Sequence, residues 1–362
     1  MSIKIALLGD ICLNGKFDLK NNLNYKDYFK DVSEFLASFD HVIANLETPL
    51  TDRTFTLTCK GLHLKSSLGS VNLLNYLNVT HVSLANNHIY DYGAKGLNDT
   101  INVLIKNGID YYGVKGKQVV IQETNNKIAI NGYCCFSSNP SACHKKAINP
   151  LIPQNISNKI KANNSNGFLN LISLHWGDEN IHYPRIDHVD IARYLSSEHP
   201  VIIHGHHTHV IQGIETKNGS LIAYSQGNFC TDDVKSDAVK GLKVVQNKKN
   251  KESFILSLEI DENKIVKQQI VPLIDNGKNV FLGSNEIMKS LDVYSIALNQ
   301  SKDEYIGFRS KQFKNITRDN ESRRNMKWFF RRMNYYFIGA YIKGKISKIR
   351  YDNVMKFLKD NN

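Results

Sequence analysis

No run of 18 or more apolar residues occurs in the 362-residue sequence, so it offers no transmembrane helix. The opening, MSIKIALLG, is too short for a secretory signal and reads as a buried first strand running into Asp10. Proline is scarce, with seven residues, and neither an internal repeat nor a low-complexity linker interrupts the chain. The six cysteines (12, 59, 134, 135, 143 and 230) are irregularly spaced, form no CxxC, and lie partly in apolar runs. That excludes a disulfide framework and fits reduced, cytosolic thiols. What is present is ordinary for a globular protein: 41% hydrophobic and 22% charged residues. The length allows two or three domains, or one large domain with appendages.

Charge of one sign is concentrated. The net charge is +12, but residues 309–362 hold 15 Lys or Arg against 4 Asp or Glu, a local +11. Residues 1–308 are nearly neutral. The basic character therefore belongs to a tail, and the body gives no electrostatic reason to bind nucleic acid.

Short β-branched runs alternate with helical patterns through the first two hundred residues. The expected strands include 3–9, 41–45, 79–85, 127–132, 168–174 and 200–204, and the helices include 25–39, 93–107, 154–162 and 186–197. This rhythm implies βαβ units and a covered sheet. After Gly205 the pattern turns to antiparallel strands, with a hairpin around Asn218-Gly219 and further strands at 241–245 and 253–260.

The residues that follow the strands carry the chemistry. Asp10 ends the first, Glu47 follows the second, and Asn86-Asn87-His88 follows the third. His175 and then His206-His207-Thr208-His209 follow two later strands. In an open α/β sheet such loops gather at one edge, where ligands bind. Alone, each has a bland reading: a capping Asp, a loop Asn pair, a packed core His. Five strand ends in one phase favour a metal centre, and oxygen plus imidazole donors without thiolate suit Mn, Fe or Zn.

The segments GDICLNG, ANLETPLT, LANNHIYDYG, LHWGDE, GHHTHVIQGIE and YSQGNF stand in an order and spacing that resemble the capsule-synthesis CapA family of poly-γ-glutamate biosynthesis. That family is similar in fold to the calcineurin-like metallophosphoesterases. The resemblance covers about residues 3–275 and implies an α/β fold, a four-layer α-β-β-α sandwich with a basic C-terminal helical extension. Together with the charge boundary at 309, it divides the chain into a metallophosphoesterase-like domain (1–275), a connecting helical segment (276–308) and the basic aromatic tail (309–362). It implies two divalent ions held by Asp10, Glu47, Asn87, His175, His207 and His209, with His88 and Asp91 catalytic. Trp176, Glu179, Ser225 and Asn228 fall in matching motifs and are expected to touch substrate or support the ligands. Cys12 stands where phosphoesterases usually have a His, and is expected to pack rather than ligate. Thr208 and Asn180 also depart from the family's usual residues without removing a ligand.

The function so implied is a metal-dependent phosphoester hydrolase acting on a phosphorylated or polymer-precursor substrate in capsule or surface-polymer biosynthesis. The alternative is a non-catalytic subunit of a polymer synthesis or export complex, which a site weakened at Cys12 favours. In the tail, Trp328, Phe329 and Phe330 sit between basic pairs. One reading packs an apolar helix face on the body, and another docks the tail on an anionic membrane. Nucleic-acid binding ranks behind both, since no nucleic-acid motif accompanies the tail. The expected location is cytoplasmic, peripheral at the inner membrane face.

Overall fold

Alternation along the first strand already separates two cores. In β1 (Ile3–Ile11), Ile3, Ile5 and Leu7 enter one apolar cluster, while Ala6 and Leu8 enter another. Both faces of the strand are therefore covered. The computed structural model describes all of the chain except residues 22, 57, 139–146, 236–241, 323–334 and 361–362.

After β1 come α1 (Tyr25–Tyr28), α2 (Lys30–Leu36), β2 (His41–Leu46), α3 (Val71–Tyr76), β3 (His81–Ser83), α4 (Gly93–Lys106) and β4 (Asp110–Tyr112). A second series follows: β5 (Val119–Glu123), β6 (Asn126–Cys134), α5 (Pro153–Ser165), β7 (Leu169–His175), α6 (Ile186–Leu195) and β8 (Val201–His206). The remaining strands are β9 (Ile214–Lys217), β10 (Ser220–Ala223), β11 (Asn228–Cys230), β12 (Val234–Lys235), β13 (Lys243–Val244), β14 (Glu252–Asp261), β15 (Lys264–Asp275) and β16 (Val280–Leu282). Helices α7 (Asn285–Ala297), α8 (Lys302–Ser322) and α9 (Tyr335–Asp360) close the described chain.

The result is a mixed α/β protein with two large sheets. One has the order β16-β15-β14-β1-β2-β3-β4, with β11 also paired to β1; the other runs β5-β6-β7-β8-β10-β9. Strands β1 to β4 are parallel, as are β6, β7, β8 and β10. Ile43, Phe254, Leu256 and Leu258 of the first sheet share a cluster with Ile128, Ile130, Leu171 and Ile202 of the second. A second cluster joins the first sheet to α2, α3 and α4 through Val32, Leu36, Leu73, Leu97 and Leu104. A third joins the second sheet to α5 and α6, and also takes in Tyr305 of α8 and Tyr351 and Met355 of α9. Each such aliphatic side chain contributes roughly 1.5–3 kcal/mol on burial.

Most expected elements are found, with instructive differences. The 25–39 helix is broken at Phe29, whose φ of −115° and ψ of 19° leave helical geometry. The 79–85 strand shrinks to three paired residues. The hairpin forms as read: Asn218 and Gly219 take φ of 51° and 72°, the left-handed pair that a tight two-residue turn requires. Strand 241–245 pairs at Lys243 and Val244, and its first residue lies outside the described residues, as do Cys143 and the Trp328–Phe330 cluster. No described helix is long and apolar enough to cross a membrane.

Candidate metal centre

Parallel strands bring the chemical groups together because their carboxyl ends face one way in each sheet. From the first sheet come Asp10 in β1, Glu47 after β2 and the Asn86–His88 turn after β3; from the second come His175 ending β7 and the 206–209 loop leaving β8. Close backbone approach underlies the last of these. A Cβ on Gly205 would lie 1.9 Å from the Tyr224 carbonyl oxygen, so only glycine lets β8 run so near β10 just before the histidines.

Glu47, His207 and His209 have ligand-type atoms all within 4.8 Å of one another. His175 Nε2 stands 3.8 Å from Glu47 Oε1 and 3.1 Å from Asn87 Oδ1, and its ring lies 4.6 Å from that of His207. Glu47 Oε1 and His207 Nδ1 are buried and have no hydrogen-bond partner. Asp10 sits behind this cluster, accepting from Asn45 Nδ2 (2.8 Å) and from the backbone N–H of His207 (2.9 Å). His206 stands against Asp10 as well, with Nδ1 3.2 Å from Oδ1, and does not join the cluster of Glu47, His207 and His209. Cys12 donates its thiol to Glu47 Oε2 at 3.2 Å.

Charge in the centre is unbalanced. Burial, reinforced by Asp10, pushes the Glu47 carboxyl up to about 7. Burial lowers His209, but Glu47, Glu179 and Asp10 outweigh it and raise its pKa to about 9. Burial alone dominates at His207, pushed down to about 4, and at His175, which is held far below the ordinary range with His207 adding to the effect. Glu47 thus retains a proton where a cation would displace it, and the neutral imidazoles of His175 and His207 keep a free lone pair. The donor set and its unpartnered oxygen fit a divalent ion.

Supporting contacts orient His209 and the loop that carries it. His209 Nδ1 bonds Asn228 Oδ1 at 2.9 Å, leaving Nε2 for the centre. Thr208, between the paired histidines, donates to Ser225 Oγ at 2.9 Å. Both flanking histidines adopt left-handed backbone, with φ of 92° at His207 and 59° at His209. Trp176 is buried, stacked on His188 and Tyr224, and donates to the Tyr224 carbonyl at 3.0 Å; it supports the wall rather than the opening.

His88 projects from the Asn86 turn, in which Asn86 Oδ1 accepts from the backbone of His88 and Ile89. Its Nδ1 is 2.6 Å from Asp91 Oδ2, and Asp91 also accepts from the backbone N–H of Leu64. Lys60 completes the group, with Nζ 2.8 Å from Asp91 Oδ1 and 2.6 Å from the Asn87 carbonyl. Burial and the Lys60 charge hold His88 below its ordinary pKa. A cleft of about 580 Å³ opens over the centre, lined by Cys12, His88, Glu179 and His209, with Asn247, Asn250 and, from α8, Gln312 and Ile316 around it.

Sequence reading missed Asn45, Asn86 as a buttress, Lys60 and Gln312. An asparagine ending the apolar run HVIAN was a usable signal for Asn45. Lys60 and Gln312 carry no motif; only tertiary packing brings Lys60 to Asp91 and Gln312 to the cleft.

Residues 4–233 match the family described as bacterial capsule synthesis protein PGA_cap, and the chain belongs to that family. Among its relatives is the PGA biosynthesis protein CapA of Bacillus subtilis (strain 168), 31% identical over 241 residues, 64% of this chain and 63% of that protein. The capsule biosynthesis protein CapA of Bacillus anthracis is 29% identical over 246 residues, 64% of this chain and 60% of the relative. A probable polyglutamine synthesis accessory protein of Mycobacterium tuberculosis is 24% identical over 212 residues, 53% of this chain and 56% of its own length. The chain thus spans less than two thirds of each relative.

Proposed function

We propose that this chain is a metal-dependent phosphoester hydrolase serving capsule or poly-glutamate polymer biosynthesis. The observation that carries the reading is the buried, unpartnered Glu47 oxygen beside His175, in one cluster with His207 and His209. The two-sheet body with three apolar clusters supports the four-layer α-β-β-α arrangement of the metallophosphoesterases. Glu47, His207 and His209 would hold the divalent metal, with His175, Asn87 and Asp10 as the further donors of a two-ion centre of Mn, Fe or Zn. Bound ions would supply a water nucleophile at neutral pH and offset phosphoryl charge.

The chain's own groups handle the leaving oxygen. Asp91 holds the Nδ1–H of His88, so Nε2 is the nitrogen turned to substrate. A proton on that nitrogen is released readily, because burial and Lys60 make the imidazolium a stronger acid. Asn250 at the cleft wall is itself spent on the loop, donating to the His209 carbonyl at 3.1 Å and to Asn180, and so steadies the histidine loop beside the substrate space.

The test is elemental analysis of the purified protein, then turnover of phosphomonoesters and phosphodiesters with Mn, Fe and Zn. His207→Ala with His209→Ala should lose most of the metal, whereas His206→Ala should lose less. His88→Ala should keep metal and lose about 10²- to 10⁴-fold in turnover, less for a nitrophenyl ester that departs without a proton. Full occupancy in the double variant would refute the ligand assignment. Absence of turnover with metal bound would favour a non-catalytic subunit, a reading supported by the Cys12 thiol on Glu47.

A further inference from the structure

Helix α9 has two apolar sides, and the body uses one. Ser347, Tyr351 and Met355 face inward and are buried. Tyr351 donates its hydroxyl to Asp187, meets the His188 ring edge-on and lies under the Arg185 guanidinium. Near the start of the helix, Tyr336 donates to the Thr56 carbonyl at 3.1 Å. These contacts fix which way the other side points.

That other side carries Ile338, Ile342, Ile346 and Ile349, which are 55%, 54%, 41% and 62% exposed, with Tyr341 at 61% beside them. Spacings of four, four and three place the isoleucines in one outward stripe. Exposed Lys345 and Lys348 flank it on one edge, and half-buried Lys343 and Arg350 on the other. Along α9 the sequence holds six Lys or Arg against two Asp, Asp352 and Asp360, both beyond the last isoleucine of the stripe. An apolar stripe on a solvent-facing helix marks a docking surface, and its cationic margins specify an anionic partner.

We propose that the outer stripe of α9 docks the protein on an anionic bilayer surface. The helix lies in the plane of the interface, isoleucines towards the acyl chains and lysines among the headgroups. A second copy pairing by symmetry would set the lysine edges against one another. A nucleic acid strand would find isoleucines where stacking calls for aromatic rings. The bilayer alone matches both the stripe and its margins. This inference is independent of the proposed hydrolysis, since the inward contacts of α9 involve none of the candidate ligands.

The experiment is sedimentation of the full chain with vesicles of phosphatidylcholine mixed with phosphatidylglycerol, and with phosphatidylcholine alone. Binding to the anionic vesicles is expected, weakening as salt rises. Ile342→Ser with Ile346→Ser and Ile349→Ser should weaken it about 100-fold or more, while circular dichroism stays unchanged because these side chains face away from the body. Lys345→Glu with Lys348→Glu, a second variant independent of the first, should weaken it about 30-fold on anionic vesicles. The proposal is overturned if the wild type ignores anionic vesicles, or if the folded triple variant binds as tightly as the wild type. It is also overturned if the stripe substitutions convert a dimer to a monomer without vesicle binding, or if nucleic acid is retained where vesicles are not.

Discussion

His188 gives a quantitative handle on the packing beneath α9. Its ring is stacked on Trp176, 4.9 Å away with 8° between planes, and Tyr351 closes the other side at 6.3 Å. Burial pushes its pKa down to about 3, against an opposing pull from Asp187 that Arg185 and Tyr351 already engage. In the unfolded chain the same imidazole titrates near its ordinary value of about 6.5. As pH falls below that value the unfolded state binds a proton that the folded state refuses, so stability drops with falling pH until about pH 3. Between pH 7 and pH 5 the loss is about 2 kcal/mol, set by the unfolded value so long as the folded one stays below about 4. His188→Phe keeps a stackable ring and removes the proton site. Equilibrium urea unfolding at both pH values should show the variant losing about 2 kcal/mol less than the wild type. Identical losses would mean that His188 is protonated in the folded protein, and the reasoning from burial would fail. His81, pushed down to about 4 by burial, should supply part of the slope that remains.

Two further outcomes are expected. Cys12→Ser should leave metal content nearly intact, because the thiol is a donor to Glu47 and burial holds it far above its ordinary pKa; a large loss in elemental analysis would make Cys12 a ligand. Truncation after Phe308 should destabilise the body, removing Tyr351 and Met355 from the cluster beneath α6 at roughly 2–5 kcal/mol each, and size-exclusion chromatography should show aggregation. A monodisperse truncated body with an unchanged thermal transition would make the tail separable.

How far the sequence spoke depended on whether a feature is local. β1, β2, β7 and β8 were legible because apolar runs of a strand's length end in a polar ligand-type residue, and that ending also located Asp10, Glu47, His175 and the 206–209 loop. The Asn-Gly turn was legible because its backbone geometry needs those residue types. β4 and β11 were not, since three paired residues leave no periodicity to read. β15 was not, because its exposed stretch Val266–Gln269 breaks the apolar alternation and its partners β14 and β16 organise it. Lys60 reaches Asp91 from a loop without regular structure, a meeting that no spacing along the chain encodes. For the tail the sequence offers packing, membrane docking and, behind them, nucleic-acid binding; in α9 Tyr351 and Met355 pack, and an exposed row of isoleucines lies opposite them.

The backbone at His207 and His209 carries one more implication. A left-handed φ at a residue other than glycine costs about 1–3 kcal/mol, and this loop bears it twice within three residues. Glycine at either position would relax the loop while deleting an imidazole. A library of this chain sorted for thermal stability alone should therefore accumulate glycine in the 206–209 loop, and one sorted for metal retention should not. The residues proposed to make the centre are the ones whose backbone costs the fold most, and the bonds of the loop to Asp10, Ser225 and Asn228 are what keep them there.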